Sequence, residues 1–312
     1  MKISNFATAL LLVFFFSACS EEGGLVTDLT TNDDSESTDC SNVTSVFTIN
    51  LDPSTCNVNI ETKLSVSSVY TESINGTNRK IMINGIASHL VGTFPNNGNP
   101  NTISTFSENF SMTTQPQLAS TITSAQRHTF GVLFSGVSID PFTGEFFQGS
   151  GGINRDWNIT TLQSTRSLGL DCNNAHVQPT GKYHYHGTPS KFIDKLGTAD
   201  GTQMIKVGYA GDGFPIYYKY GYNDAGTQII ELTSGYTLKT EERGGNGQSA
   251  PDGCPDGYYF QDYAYTGGIL DECNGRTGKT PESDNEYYYV ITDNFPSSPL
   301  CFSGTPDASF RF

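Results

Sequence analysis

Three of the chain's five histidines, His176, His184 and His186, fall close together in Ala175-His176-Val177-Gln178-Pro179-Thr180-Gly181-Lys182-Tyr183-His184-Tyr185-His186-Gly187. In an extended strand side chains alternate, so His184 and His186 share one face and Tyr183 and Tyr185 take the other. Two imidazoles so placed can reach one ion, and the turn expected at Pro179-Thr180-Gly181 brings His176 back as a third ligand. Imidazole suits zinc, copper, nickel or iron(II), and zinc or copper is the cofactor expected. The plainer reading is a structural cluster whose ring nitrogens bond backbone or carboxylate groups.

The elements that must position these rings read as strands. The chain is rich in turn formers and tyrosine, with 33 Gly and 16 Tyr in 312 residues. Short β-prone runs lie between turn signals: Val58-Asn59-Ile60, Leu64-Ser65-Val66, Lys80 to Ile83, Phe130 to Phe134, Ile229 to Leu232 and Tyr287 to Ile291. Pro189 to Leu196 is the single helix expected. Residues 95–101 and 242–257 are dense in Gly, Pro and Asn and read as long loops, the second pinned by Cys254. The fold class expected is mainly β with long disulfide-pinned loops and little helix, in a single large β domain. No internal repeat of convincing length is visible.

The N-terminus predicts export. Met1 and Lys2 precede the apolar run Ala9 to Phe16, then the small residues Ser17 and Ala18, then Cys19. That order is a secretory signal, and ending on cysteine makes it similar to a lipobox at which Cys19 is lipidated. Eight apolar residues are too few to span a bilayer, which takes about 20. Residues 19–39 follow as an acidic, flexible tether with no Lys or Arg. Ser20-Glu21-Glu22 resembles the signal that sends Bacteroidota lipoproteins to the outer face of the outer membrane. Beyond the tether, 40–78 is expected as an N-terminal β extension and 79–312 as the main domain. Six cysteines remain, Cys40, Cys56, Cys172, Cys254, Cys273 and Cys301, and an even set in an exported chain suggests disulfides. Cys40 and Cys56 are spaced for a local loop, and the other four allow three pairings. The net charge of −15 excludes nucleic acid as a partner and leaves the lipid anchor as the only membrane contact.

Beyond the histidine run, the chain resembles the YHYH-domain family, named for what stands here as Tyr183-His184-Tyr185-His186. Asn84-Gly85-Ile86 with His89 and Gly92 to Asn96 is similar to its opening block. Phe130-Gly131-Val132, Gly136-Val137 and Asp140-Pro141 resemble the segment before the histidines. Asp212-Gly213-Phe214-Pro215-Ile216-Tyr217, Leu270 to Gly275, Phe295-Pro296 and Cys301-Phe302 resemble the later blocks. Ser135 stands where the family commonly has Asn, and Ala87-Ser88 where it has Pro-Asn. The resemblance covers residues 80–304 and implies the domain rather than a reaction. It adds His89 to the metal candidates and leaves His128 an ordinary surface or core histidine.

Acidic and phenolic groups near these blocks are candidates for supporting roles. Asp212, between two glycines, reads either as an orienting partner for a ligating histidine or as a turn aspartate bonding its own backbone. Asp271 and Glu272 are general-base or ligand candidates, though neighbours on a strand face opposite ways. Tyr183 and Tyr185 read as wall or core residues, and Trp157 as core. No Gly-x-Ser-x-Gly, Cys-x-x-Cys or phosphate loop is present. Three functions compete: a surface metal-binding domain, an extracellular metal-dependent enzyme, and a non-catalytic module that takes a small molecule or glycan beside a nutrient-uptake system.

Overall fold

The computed structural model describes residues 39–197 and 200–312, so Cys19 and the tether up to residue 38 lie outside the described residues. The described residues belong to one compact unit. Among the described residues two short α-helices are present, Ile60–Leu64 (α1) and Ser190–Leu196 (α2). α2 is the helix expected at 189–196, and it stops at Gly197, which takes a positive φ of 71°. α1 overturns the two strands expected at 58–60 and 64–66. The Asn59 side chain accepts from the Thr62 N–H and so caps a helix at Ile60, while Ser65 turns left-handed at φ 53° and ends it. Residues 40–78, expected as a β extension, therefore hold a 3-10 turn, α1 and one strand.

That strand, Tyr70–Asn75 (β1), pairs with Asn78–Ile83 (β2), which pairs with Glu108–Thr113 (β3), all antiparallel. The main sheet has eight strands. Its first four are Gly131–Leu133 (β4), Val137–Ile139 (β5), Ala175–Val177 (β6) and Tyr183–Tyr185 (β7). The others are Ile205–Ala210 (β8), Pro215–Tyr218 (β9), Gly275–Gly278 (β10) and Glu286–Ile291 (β11). Their order across the sheet is β10-β11-β9-β8-β4-β5-β7-β6. It is the same read from either end, with β8 equivalent to β4, β9 to β5, β10 to β6 and β11 to β7.

The equivalence extends to atoms. β4 and β8 pair antiparallel across the middle, Gly131 with Ala210, Val132 with Tyr209 and Leu133 with Gly208. Each half turns through a glycine of positive φ: Gly136 (83°) donates to the Leu133 carbonyl and Gly213 (94°) to that of Ala210. In each half an antiparallel hairpin, a parallel step and another antiparallel pair follow (β4-β5-β7-β6 and β8-β9-β11-β10). Asp171 accepts from the N–H groups of Asn173 and Ala175, and Asp271 from those of Cys273 and Gly275. Tyr183 Oη donates to Asp171 and Tyr287 Oη to Asp271, each at 2.8 Å. Tyr185 bonds Ser135 at 2.8 Å, and Tyr289 bonds Asp212 at 2.5 Å. The eight-stranded sheet is thus built of two topologically equivalent halves meeting at the β4/β8 seam, a repeat of structure where no sequence repeat is visible. Few identical residues survive between the halves, and unequal loops separate the equivalent blocks, so sequence similarity does not display it.

One face of the sheet buries Tyr183, Tyr185, Tyr287 and Tyr289 in the main core with Phe130 and Phe302, whose rings stack at 4.9 Å. Burying one such ring contributes about 1.5–3 kcal/mol. Three disulfides fasten the loops: Cys40–Cys254, Cys56–Cys172 and Cys273–Cys301. The local Cys40–Cys56 loop is thus wrong. The Cys40 N–H bonds the Thr240 carbonyl, which draws that end of the chain to the 242–257 loop instead. Among the described residues no helix is long and apolar enough to cross a membrane.

Candidate metal centre

β6 and β7 run antiparallel with His176 directly opposite His184. The Asp171 turn places β6, and the His186 N–H, one residue past β7, is received by the Asn174 carbonyl. Side-chain alternation then gathers all three imidazoles on the face away from the tyrosines. Their ring centroids stand 4.9 Å (176–184), 4.7 Å (176–186) and 4.7 Å (184–186) apart. One nitrogen from each lies within 4.8 Å of the others, a spacing that could hold one ion.

The carbonyls around the rings set their tautomers. His176 Nδ1 is 2.9 Å from the Leu168 carbonyl and His184 Nδ1 is 3.3 Å from that of Lys182. A carbonyl only accepts, so both rings carry their proton on Nδ1 and turn the Nε2 lone pair inward. His176 Nε2 and His186 Nε2 approach to 3.1 Å. Bonds of about 2.0–2.1 Å at tetrahedral angles imply ligand separations of roughly 3.3 Å, so this pair is near the spacing zinc requires. His186 Nδ1 is buried and closes no well-formed hydrogen bond, although the backbone of Pro141 and Asp140 lies alongside. Burial holds His176 below the usual imidazole pKa and His184 and His186 well below it, and the neighbouring rings add to the shift in the latter two. The set is therefore neutral imidazole, the form that ligates.

A buried charge cluster adjoins the rings. Lys182 Nζ is 2.8 Å from Glu108 Oε1 and 3.8 Å from Asp140 Oδ2. The parallel pairing of β5 with β7 sets Ser138 beside His184 and Ile139 beside Tyr185, which carries Asp140 level with His186. Neither Asp140 carboxylate oxygen closes a hydrogen bond, and burial raises its pKa against the pull of Lys182. Sequence reasoning missed both groups. Alternation already puts Lys182 on the face of His184 and His186; Asp140 depends on a parallel pairing that only the topology gives.

The other expected site residues lie elsewhere. His89 is not in the triad: Nδ1 contacts the Leu90 carbonyl at 2.8 Å and Nε2 the Tyr185 hydroxyl at 2.5 Å, behind the sheet. Tyr183 and Tyr185 point away from the three imidazoles into the core. Asp212 orients no histidine; it accepts from Tyr289 Oη and the Gly304 N–H. Asp271 shapes its turn and holds Tyr287, and Glu272 accepts from Tyr236 Oη through its carbonyl. These three belong to the half that carries no triad. His128 packs edge-on against Phe302 at 5.7 Å, and Trp157 likewise against Tyr259 at 5.6 Å.

A family model described as YHYH protein matches residues 109–304, more than half of the chain. No curated protein and no solved structure matches.

Proposed function

The chain belongs to the YHYH protein family, and we propose that it binds one divalent transition-metal ion, zinc or copper, through Nε2 of His176, His184 and His186. The observation that carries this is the convergence of the three rings, two with Nδ1 engaged by a carbonyl so that Nε2 is left as a donor to an ion. We further propose that the domain works outside the cell, as a lipoprotein anchored at Cys19 and facing the exterior. Support for that comes from the signal-like N-terminus and from three disulfides, which persist in oxidising compartments. The test is elemental analysis of protein purified without chelator and repeated for the His184→Ala/His186→Ala double variant. One equivalent of metal in the parent and a small fraction of that in the variant is expected. Full retention by the variant, or no uptake by the parent after zinc and copper supplementation, removes the proposal.

A second reading, an extracellular metal-dependent enzyme, is favoured by Asp140. Three imidazoles leave one tetrahedral position for water or substrate, and a bound ion there would polarise either. Asp140 lies beside the rings, buried with its pKa raised and held by the longer ion pair to Lys182 rather than by a close hydrogen bond, which suits it to hold a proton. Asp140→Asn separates the readings: it abolishes turnover in an enzyme while metal content stays at one equivalent.

A further inference from the structure

The structural repeat asks what the second half carries where the first carries its histidines. Arg276 faces Tyr288 across β10 and β11, as His176 faces His184 across β6 and β7. Val290 is the counterpart of His186. We propose that the second half binds an oxyanion, a carboxylate or phosphate of a small external ligand, on the Arg276 guanidinium. This site is independent of the metal reading.

Four observations carry it. The Arg276 side chain is only 10 % exposed, yet Nε and Nη1 are buried with no protein partner, and so is the Tyr288 hydroxyl. Leaving buried donors unsatisfied is costly, most of all when the donor is charged, and such groups ordinarily have a partner. The third guanidinium nitrogen, Nη2, meets Asp224 at 2.6 Å, but Asp224 is 91 % exposed and so makes a weak, exchangeable pair. A polar cavity of about 450 Å³ opens at this point, its wall including Arg276, Lys279, Gly278 and Asn285 together with two carboxylates, Asp224 and Asp284. Gly278 supplies the last observation. A Cβ placed there would stand 3.5 Å from Arg276 Nε and 3.6 Å from Nη2, so an added methyl would sit in van der Waals contact with that edge of the guanidinium. The Nε–Nη2 edge is the one that grips planar oxyanions through two parallel hydrogen bonds. Lys279, whose ammonium lies 4.9 Å over the Tyr222 ring, adds a second positive charge to the wall.

The full domain, residues 37–312, is titrated with sodium phosphate and with sodium glucuronate at low ionic strength, followed by isothermal calorimetry and by backbone NMR shifts. Saturable binding is expected for at least one of them, with shifts centred on residues 276–279. Gly278→Ala, a change the backbone and neighbours accommodate, weakens it at least tenfold, and Arg276→Gln does the same. Asp224→Asn, at an exposed position, removes the competing carboxylate and tightens binding several-fold. His184→Ala leaves it unchanged. Absence of saturation by both anions at 20 mM, or equal affinity in Gly278→Ala and parent, overturns the proposal. Shifts that map to the histidine face instead do the same.

Discussion

The most searching test of the histidine triad is the stability a metal adds to it. An ion that binds only the folded chain stabilises it by RT ln(1 + [L]/Kd), about 2.7 kcal/mol at a hundredfold excess over Kd. The unfolded chain competes poorly, because His176 meets His184 only through the β6–β7 register, and the same folded pairing brings it to 3.1 Å from His186. For a domain of this size 1 kcal/mol moves Tm by roughly 2–4 °C, with larger domains at the low end. Zinc at that excess should therefore raise Tm by about 5 °C or somewhat more. The assay is scanning calorimetry of parent and His184→Ala/His186→Ala, each with zinc and with chelator. The double variant starts lower, because truncating two buried rings opens cavities costing about 2–5 kcal/mol, so the quantity compared is the increment that metal brings. It should fall to under 1 °C. A parent increment of zero with zinc, copper and nickel alike, or an equal increment in both proteins, refutes the reasoning.

Three more outcomes are expected. Lys182→Met strands Glu108 and Asp140 in a buried site and should cost about 3–5 kcal/mol by urea denaturation; a loss below 1 kcal/mol shows the cluster is not buried. Burial pushes the Asp212 carboxyl up from 3.8 to about 6, so the native state holds a proton that the unfolded state has released between those values. The resulting penalty, about 3 kcal/mol, is absent below pH 4 and complete above pH 6. Asp212→Asn should accordingly flatten the fall in stability from pH 4 to pH 6.5, and an unchanged slope disproves the assignment. Removing Cys56–Cys172 by the double Ser variant should cost about 2–5 kcal/mol and weaken zinc binding, since Cys172 lies in the turn that sets His176; melting and calorimetric titration read the two effects separately.

How much of this could be read in the sequence differs from residue to residue. The triad was legible because it depends on local rules alone: alternation fixes His184 against Tyr183, and a turn of a few residues returns His176. The strands at Lys80–Ile83 and Tyr287–Ile291 were legible for the same reason. Val58 to Ile60 misled, because apolar alternation over three residues does not exceed the pull of Asn59 capping a helix. The cysteine pairs were beyond reach, as Cys40 and Cys254 meet across 214 residues. Asp140 and the structural repeat share that difficulty. Ser135 and Asp212 do the same work under Tyr185 and Tyr289, and no residue-by-residue comparison equates a serine with an aspartate.

The seam between β4 and β8 also bears on how the chain reaches this state. Until Ile205–Ala210 has emerged and docked, β4 offers the unsatisfied N–H and C=O groups of an open strand on the side where β8 will pair. A chain arrested after the first half would have every reason to pair with its twin. The same seam that makes one molecule from two halves thus gives a truncated product a route to a symmetric dimer, and gives crowded folding conditions a route to strand-swapped assemblies.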